Sequence, residues 1–144
     1  MPPSVLLFID LDNFKYINDV YGHLSGDVLL SDIAVLLKRT FRAGDIVGRI
    51  GGDEFAMLLM DMQLSDQDLI RRKVTYLNGM LKNPDDNLPS TSLSIGVAFS
   101  EHGYRDDLYT QADSVLYEVK EHGRCGWAFY HPHKIESYIK QGNL

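Results

Sequence analysis

Two apolar runs separated by Arg49-Ile50-Gly51-Gly52-Asp53-Glu54 constrain this chain more than any other stretch. Ile46 to Ile50 reads as one strand and Phe55 to Met60 as the next, so the two glycines fall where the chain must reverse. The hairpin implies antiparallel pairing and argues against a sheet of parallel strands alone. Asp53 and Glu54 stand side by side at its tip. Acids are depleted in strands, and two packed together are costly unless a cation or donors compensate them. The tip is therefore either a solvated turn with two surface acids or a pair of ligands for a metal ion.

Ser4 to Ile9 is a continuous apolar run of strand length, which predicts a central strand buried on both faces. Asp10 directly follows five apolar residues, so its carboxylate is expected to be partly desolvated and to want a cationic partner. Asp12 and Asn13 read as turn and cap chemistry, with Asn13 opening a helix from Phe14 to about Tyr21. Gly22 to Asp27 reads as a connector, with Ser25 as the N-cap of a helix whose stripe is Leu29, Ile33, Leu36, Leu37 and Phe41. Asp27 in that helix's first turn complements the dipole. Arg42 and Asp45, three apart at a turn, read as a local pair.

Beyond the hairpin, Ser65-Asp66-Gln67-Asp68 opens a helix with Leu69, Ile70, Val74, Leu77 and Leu81 on its buried face. Asn83 to Pro89 reads as a loop and Ser92 to Phe99 as a strand, in which Gly96 marks a bulge or a close backbone approach. The last amphipathic helix runs from about Asp107 to His122 with Leu108, Ala112, Val115, Leu116 and Val119 inward, and Gly123 stops it. Lys120 and Arg124, at its end, either satisfy carbonyls or reach a phosphate. Gly126 to Tyr130 is expected as a short edge strand, and 132–144 as a tail forming a helical turn, a linker or a disordered segment.

This order predicts an α/β (α+β) fold: a ferredoxin-like or polymerase-palm arrangement, with a mixed, largely antiparallel sheet flanked by helices. Such a sheet brings Asp10 beside Asp53, a carboxylate pair suited to hard cations and so to phosphoryl or nucleotidyl transfer. With 144 residues and 44% hydrophobic content the chain suits one domain. No apolar run reaches the roughly 20 residues of a membrane span, and the single cysteine, Cys125, fits a reducing, cytoplasmic setting. The net charge of -6 disfavours a nucleic-acid polymer or direct membrane contact, so a phosphate ligand here needs metal ions and a few placed cations. There is no P-loop and no Ser-His-Asp or Cys-His signature, and His131-x-His133 reads as surface.

The residues also carry a resemblance. Phe8-Ile9-Asp10-Leu11-Asp12-Asn13-Phe14-Lys15-Tyr16-Ile17-Asn18-Asp19, Tyr21 to Asp27, Arg49 to Phe55, Ser92 to Ala98, and Ala112-Asp113 through Arg124 resemble, in order, the motifs of the GGDEF family, the diguanylate cyclases. The likeness spans roughly residues 4 to 130, with the domain assigned to 1–131 and a tail to 132–144.

The resemblance implies an enzyme that joins two GTP molecules into cyclic di-GMP and pyrophosphate across an antiparallel homodimer. It implies magnesium, with manganese as the alternative ion, held by Asp10, the Leu11 carbonyl, Asp53 and Glu54. Glu54 is a further ligand or the base, and which acid takes the proton stays open. Asn18 and Asp27 would read the guanine of GTP, and His23 would be a further substrate-binding residue. Lys15, Lys120 and Arg124 would balance phosphate charge, and Gly51 and Gly52 would admit the nucleotide. Arg42-x-x-Asp45 matches the family's inhibitory product site, which binds cyclic di-GMP. The resemblance further implies a helix and an Asp-x-Leu-Thr-like segment before the first strand and an N-terminal sensory or receiver domain in a parent protein; this chain starts almost at that strand. Cys125 stands where the family usually has Asn, and Val119 where Ala is common. Two other functions fit the residues less fully: a non-catalytic module binding GTP or cyclic di-GMP, and another palm-type cyclase or polymerase, which tight ATP binding would reveal.

Overall fold

The computed structural model describes residues 2–81, 91–131 and the backbone of 135–139. Six strands, β1 (Ser4–Leu11), β2 (Ile46–Arg49), β3 (Glu54–Met60), β4 (Leu93–Ser100), β5 (Gly126–Tyr130) and β6 (Ile135–Ile139), form one sheet in the order β2-β3-β1-β4-β5-β6. Only β4 and β5 pair in parallel, and every other neighbouring pair is antiparallel. The expected mixed, largely antiparallel sheet with helices is the fold observed. β1 lies at its middle, buried along its whole length.

Strand alternation divides β1 between two cores. Val5, Leu7, Ile9 and Leu11 face the larger core, which α1 (Phe14–Tyr21), α2 (His23–Thr40) and α3 (Gln67–Leu81) close with Ile17, Ile33, Leu37, Ile70, Val74 and Leu77. Leu6 and Phe8 face the other side, where α4 (Asp106–Glu121) lays down Leu108, Ala112 and Leu116. Asp10 continues the even-numbered set, so the alternation delivers its carboxylate to the α4 face. α4 makes the crossover between the parallel strands β4 and β5, and all five of its predicted inward residues are buried. Gly96 is a close approach and not a bulge. The β1–β4 register is unbroken through it, and a Cβ there would lie 2.2 Å from the Ala112 carbonyl oxygen.

Several sequence expectations are corrected. β1 extends to Leu11, beyond the apolar run, because Asp10 is paired in register with Glu54 on one side and Ser94 on the other. α2 begins at His23 and not after Ser25, since Gly22 (φ 91°) alone makes the break from α1, and Gly26 is buried inside the helix with the Asn18 side chain against it. Asp27 therefore stands in the second turn, away from the dipole's end. Asn13 precedes α1 in a left-handed conformation (φ 59°) and its side chain makes no capping bond. The cap before α3 begins at Gln63, whose N–H donates to the Asp66 carboxylate at 3.0 Å around a single 3-10 turn, Leu64–Asp66. β5 is not an edge strand: the expected tail contributes β6, paired antiparallel with it from Gly126–Ile139 to Tyr130–Ile135. The loop expected at 83–89 lies outside the described residues.

Candidate active site

β1 and the β2–β3 hairpin end together. Asp10 faces Glu54 across the ladder, and the Leu11 N–H donates to the Asp53 carbonyl at 3.0 Å, fastening the tip to the central strand. The Ile50 N–H donates to the Glu54 carbonyl at 2.8 Å, and the Arg49 guanidinium donates to the carbonyls of Gly51 (3.0 Å) and Gly52 (2.8 Å). That arginine closes the tip from its own base. A Cβ on Gly51 or Gly52 would meet nothing within 4 Å, so packing within the fold does not demand glycine there.

This arrangement brings one carboxylate oxygen each from Asp10, Asp53 and Glu54 within 4.8 Å of one another. Asp10 is buried, with Oδ1 lacking any hydrogen-bond partner among the described residues and Oδ2 paired with the Lys120 ammonium. Burial first, then the negative charges of Asp10 and Glu54, push the Asp53 carboxyl above its ordinary 3.8. Three acids so close, one with an orphaned buried oxygen, are unfavourable without a cation. The all-oxygen donor set fits a hard divalent ion of the magnesium or manganese kind.

On one side of the tip, Asp27, Leu30, Ser31, Gly48, Arg49 and Phe55 line a cavity of about 480 Å³ between α2 and the hairpin. Asn18 is partly buried against Gly26, whose missing Cβ makes room for it: an added one would fall 1.9 Å from the Asn18 Oδ1. Neither Asn18 nor His23 lines this cavity; His23 opens α2 and is exposed. Lys15 is exposed on α1. On the other side stand Lys120 and the turn after α4, where Arg124 has φ 61° and its guanidinium lies 3.8 Å from Asp12.

Asp12, read from sequence as turn chemistry, is 2% exposed. Its carboxylate accepts from the Ser92 and Ser94 hydroxyls, each at 2.6 Å, and from the Cys125 N–H at 3.0 Å. Burial still raises its carboxyl above 3.8, against the opposing pull of those bonds and of Arg124. A signal was present in the sequence: a second acid two residues after Asp10, on the same strand face, with serines alternating in Ser92-Leu93-Ser94.

Arg42 and Asp45 form the local pair expected. The Arg42 guanidinium lies 3.3 Å from Asp45, which also accepts from the Arg42 N–H (3.0 Å) and the Met60 N–H (3.4 Å), while Arg42 donates to the Met60 carbonyl. This pair adjoins the Met60 end of β3 and the acids its Glu54 end, about 20 Å apart by strand rise.

The family model for the diguanylate cyclase GGDEF domain matches residues 2–125. The chain belongs to the GGDEF family. It is 42% identical over 124 residues to the diguanylate cyclase DgcM of Escherichia coli K12, covering 83% of this chain and 29% of that protein. It is 33% identical over 135 residues to the cyclic di-GMP phosphodiesterase PdeR of the same strain, covering 88% and 20%. The structure of the active GGEEF domain of a diguanylate cyclase from Vibrio cholerae superposes with a TM-score of 0.79 at 29% identity, covering 90% of this chain and 84% of that one. This GGDEF domain spans only 18–34% of the length of the curated relatives it matches. Among the described residues no helix is long and apolar enough to cross a membrane.

Proposed function

We propose that this GGDEF domain is a diguanylate cyclase catalytic domain, condensing two GTP molecules into cyclic di-GMP with release of two pyrophosphates. The observation that carries the reading is the trio Asp10, Asp53 and Glu54, one oxygen of it buried without a partner among the described residues, beside the cavity that Asp27 lines. Asp10, Asp53, Glu54 and the Leu11 carbonyl would hold magnesium or manganese. Bound there, such an ion would neutralise charge on the triphosphate and would help activate the attacking 3′-hydroxyl. Lys15, Lys120 and Arg124 balance phosphate charge, with Lys120 leaving Asp10 for the ligand. Asn18 and Asp27 read the guanine, the Asp27 carboxylate accepting from N–H groups that adenine does not present, and His23 is a further substrate-binding residue. Glu54 either completes the ion's ligands or takes the hydroxyl proton.

The chain supplies one such half-site, so the reaction requires an antiparallel homodimer in which each subunit presents one GTP. Arg42 and Asp45 form an inhibitory product site for cyclic di-GMP, and the domain works in the cytoplasm under a sensory or receiver domain of a longer protein. A second reading is a non-catalytic nucleotide-binding module; it is favoured by the likeness to PdeR, a protein named for a different activity. The intact acid trio speaks for catalysis. Calorimetry with magnesium tests the base assignment: GTP binding at least about tenfold tighter than ATP supports it, and equal affinities contradict it.

A further inference from the structure

Asp12 is the second buried acid among the described residues, and the trio does not include it. Its partners lie far apart along the chain. Ser92 precedes β4, Ser94 lies in that strand, and Cys125 leads into β5. The Asp12 N–H also donates to the Ser92 carbonyl at 2.9 Å. The carboxylate thus joins the end of β1, which carries Asp10, to the start of β4 and to the turn after α4.

That turn is unusual. Gly123, Arg124 and Cys125 have successive φ values of 108°, 61° and 53°. Left-handed non-glycine residues cost free energy and persist where surrounding contacts impose them. Two bonds do so here: the Arg124 N–H donates to the Val119 carbonyl at 2.9 Å, and the Cys125 N–H donates to Asp12. Arg124 hangs between these anchors, its side chain 46% exposed, four residues past the Lys120 that reaches Asp10.

We infer that Asp12 is a positioning residue, which pins the Gly123–Cys125 turn and so sets where Arg124 stands beside the acid trio. Its effect on ligand binding passes through Arg124 and rests on the phosphate role proposed for that arginine. The geometry of acceptance matters more than the charge. An asparagine can turn its single oxygen to the Cys125 N–H while the serine hydroxyls rotate to suit its amide, whereas an alanine leaves that N–H and both hydroxyls without this partner.

The test uses the 144-residue chain and its single cysteine, Cys125, as a reporter within the turn. Asp12→Ala should speed labelling of Cys125 by a thiol reagent about tenfold and weaken magnesium-GTP binding about tenfold, while Asp12→Asn stays within about threefold of the parent on both. In an Arg124→Ala background, Asp12→Ala should cost no further GTP affinity, and guanosine binding should be unchanged throughout. If Asp12→Ala fails to fold, Ser92→Ala combined with Ser94→Ala removes the two hydroxyls that orient the carboxylate and leaves the Cys125 N–H its acceptor. Both readouts should then shift in the same direction by less, and no shift in either overturns the inference. An unchanged labelling rate, or an equal loss of GTP affinity with and without Arg124, overturns the inference. A parent chain that binds no GTP overturns the functional reading; the labelling arm then decides the turn by itself.

Discussion

A methyl group at position 96 would sit 2.2 Å from the Ala112 carbonyl oxygen and 2.7 Å from the Leu116 nitrogen. Both are backbone atoms of α4 and cannot swing aside, so the helix must lift from the sheet. Gly96→Ala is expected to cost at least about 1–3 kcal/mol, read as a lower urea midpoint at unchanged slope. Asp53 allows a pH prediction. Its carboxyl is raised above 3.8 in the fold, so the folded chain holds that proton more tightly than the unfolded chain does. Without divalent cations, this group's contribution should favour folding as pH falls through the raised value towards 3.8, and should be lost above it. Asp53→Asn should therefore raise the metal-free thermal midpoint at pH 7 and flatten that part of its pH profile, with added magnesium shrinking the difference. Asp10 and Asp53 were legible in the sequence because an acid directly after an apolar run, or at a glycine turn, has few structural reasons to be there. Asp12 left only a faint signal, its spacing from Asp10 and the alternating serines, since its partners are 80, 82 and 113 residues away and only the folded sheet gathers them.

At the scale of elements, one polar side chain ties α3 to the sheet. The Asn78 amide is buried and bridges Leu93, donating to its carbonyl at 2.9 Å and accepting from its N–H at 2.7 Å. Asn78→Ala strands both backbone groups where β4 begins, and should cost about 2–4 kcal/mol by chemical denaturation. The apolar stripes of α3 and α4 and the alternation around Gly51–Gly52 made most elements readable, because periodicity reports which face is buried. Element ends were less readable. Ser25 carried the residue type of a cap, yet the break at Gly22 and the packing of Asn18 on Gly26 start α2 at His23. β6 was missed because Ile135-Glu136-Ser137-Tyr138-Ile139 is short and its adjacent Glu136 and Ser137 break the two-residue period, and it becomes a strand by pairing with β5.

At the scale of the molecule, the acid trio and the Arg42–Asp45 pair lie at opposite ends of β3, the first at Glu54 and the second at Met60. If that pair is the proposed product site, its distance of about 20 Å from the acids means it would inhibit by restraining how two domains meet, and not by occupying the same pocket. Arg42→Ala should accordingly weaken cyclic di-GMP binding in calorimetry by about tenfold or more while leaving GTP affinity within about twofold; unchanged product affinity would place the inhibitory site elsewhere. The fold class followed from element order alone, whereas the proposed need for a partner subunit rests on the family resemblance and not on any element of this chain. The most direct measurement is product formation by the domain joined to a dimerising coiled coil and supplied with GTP and magnesium. Cyclic di-GMP should accumulate, and Glu54→Gln should abolish its formation. A folded dimer that binds GTP yet makes no cyclic di-GMP, or makes as much with Glu54→Gln, would contradict the catalytic role proposed for the acid trio.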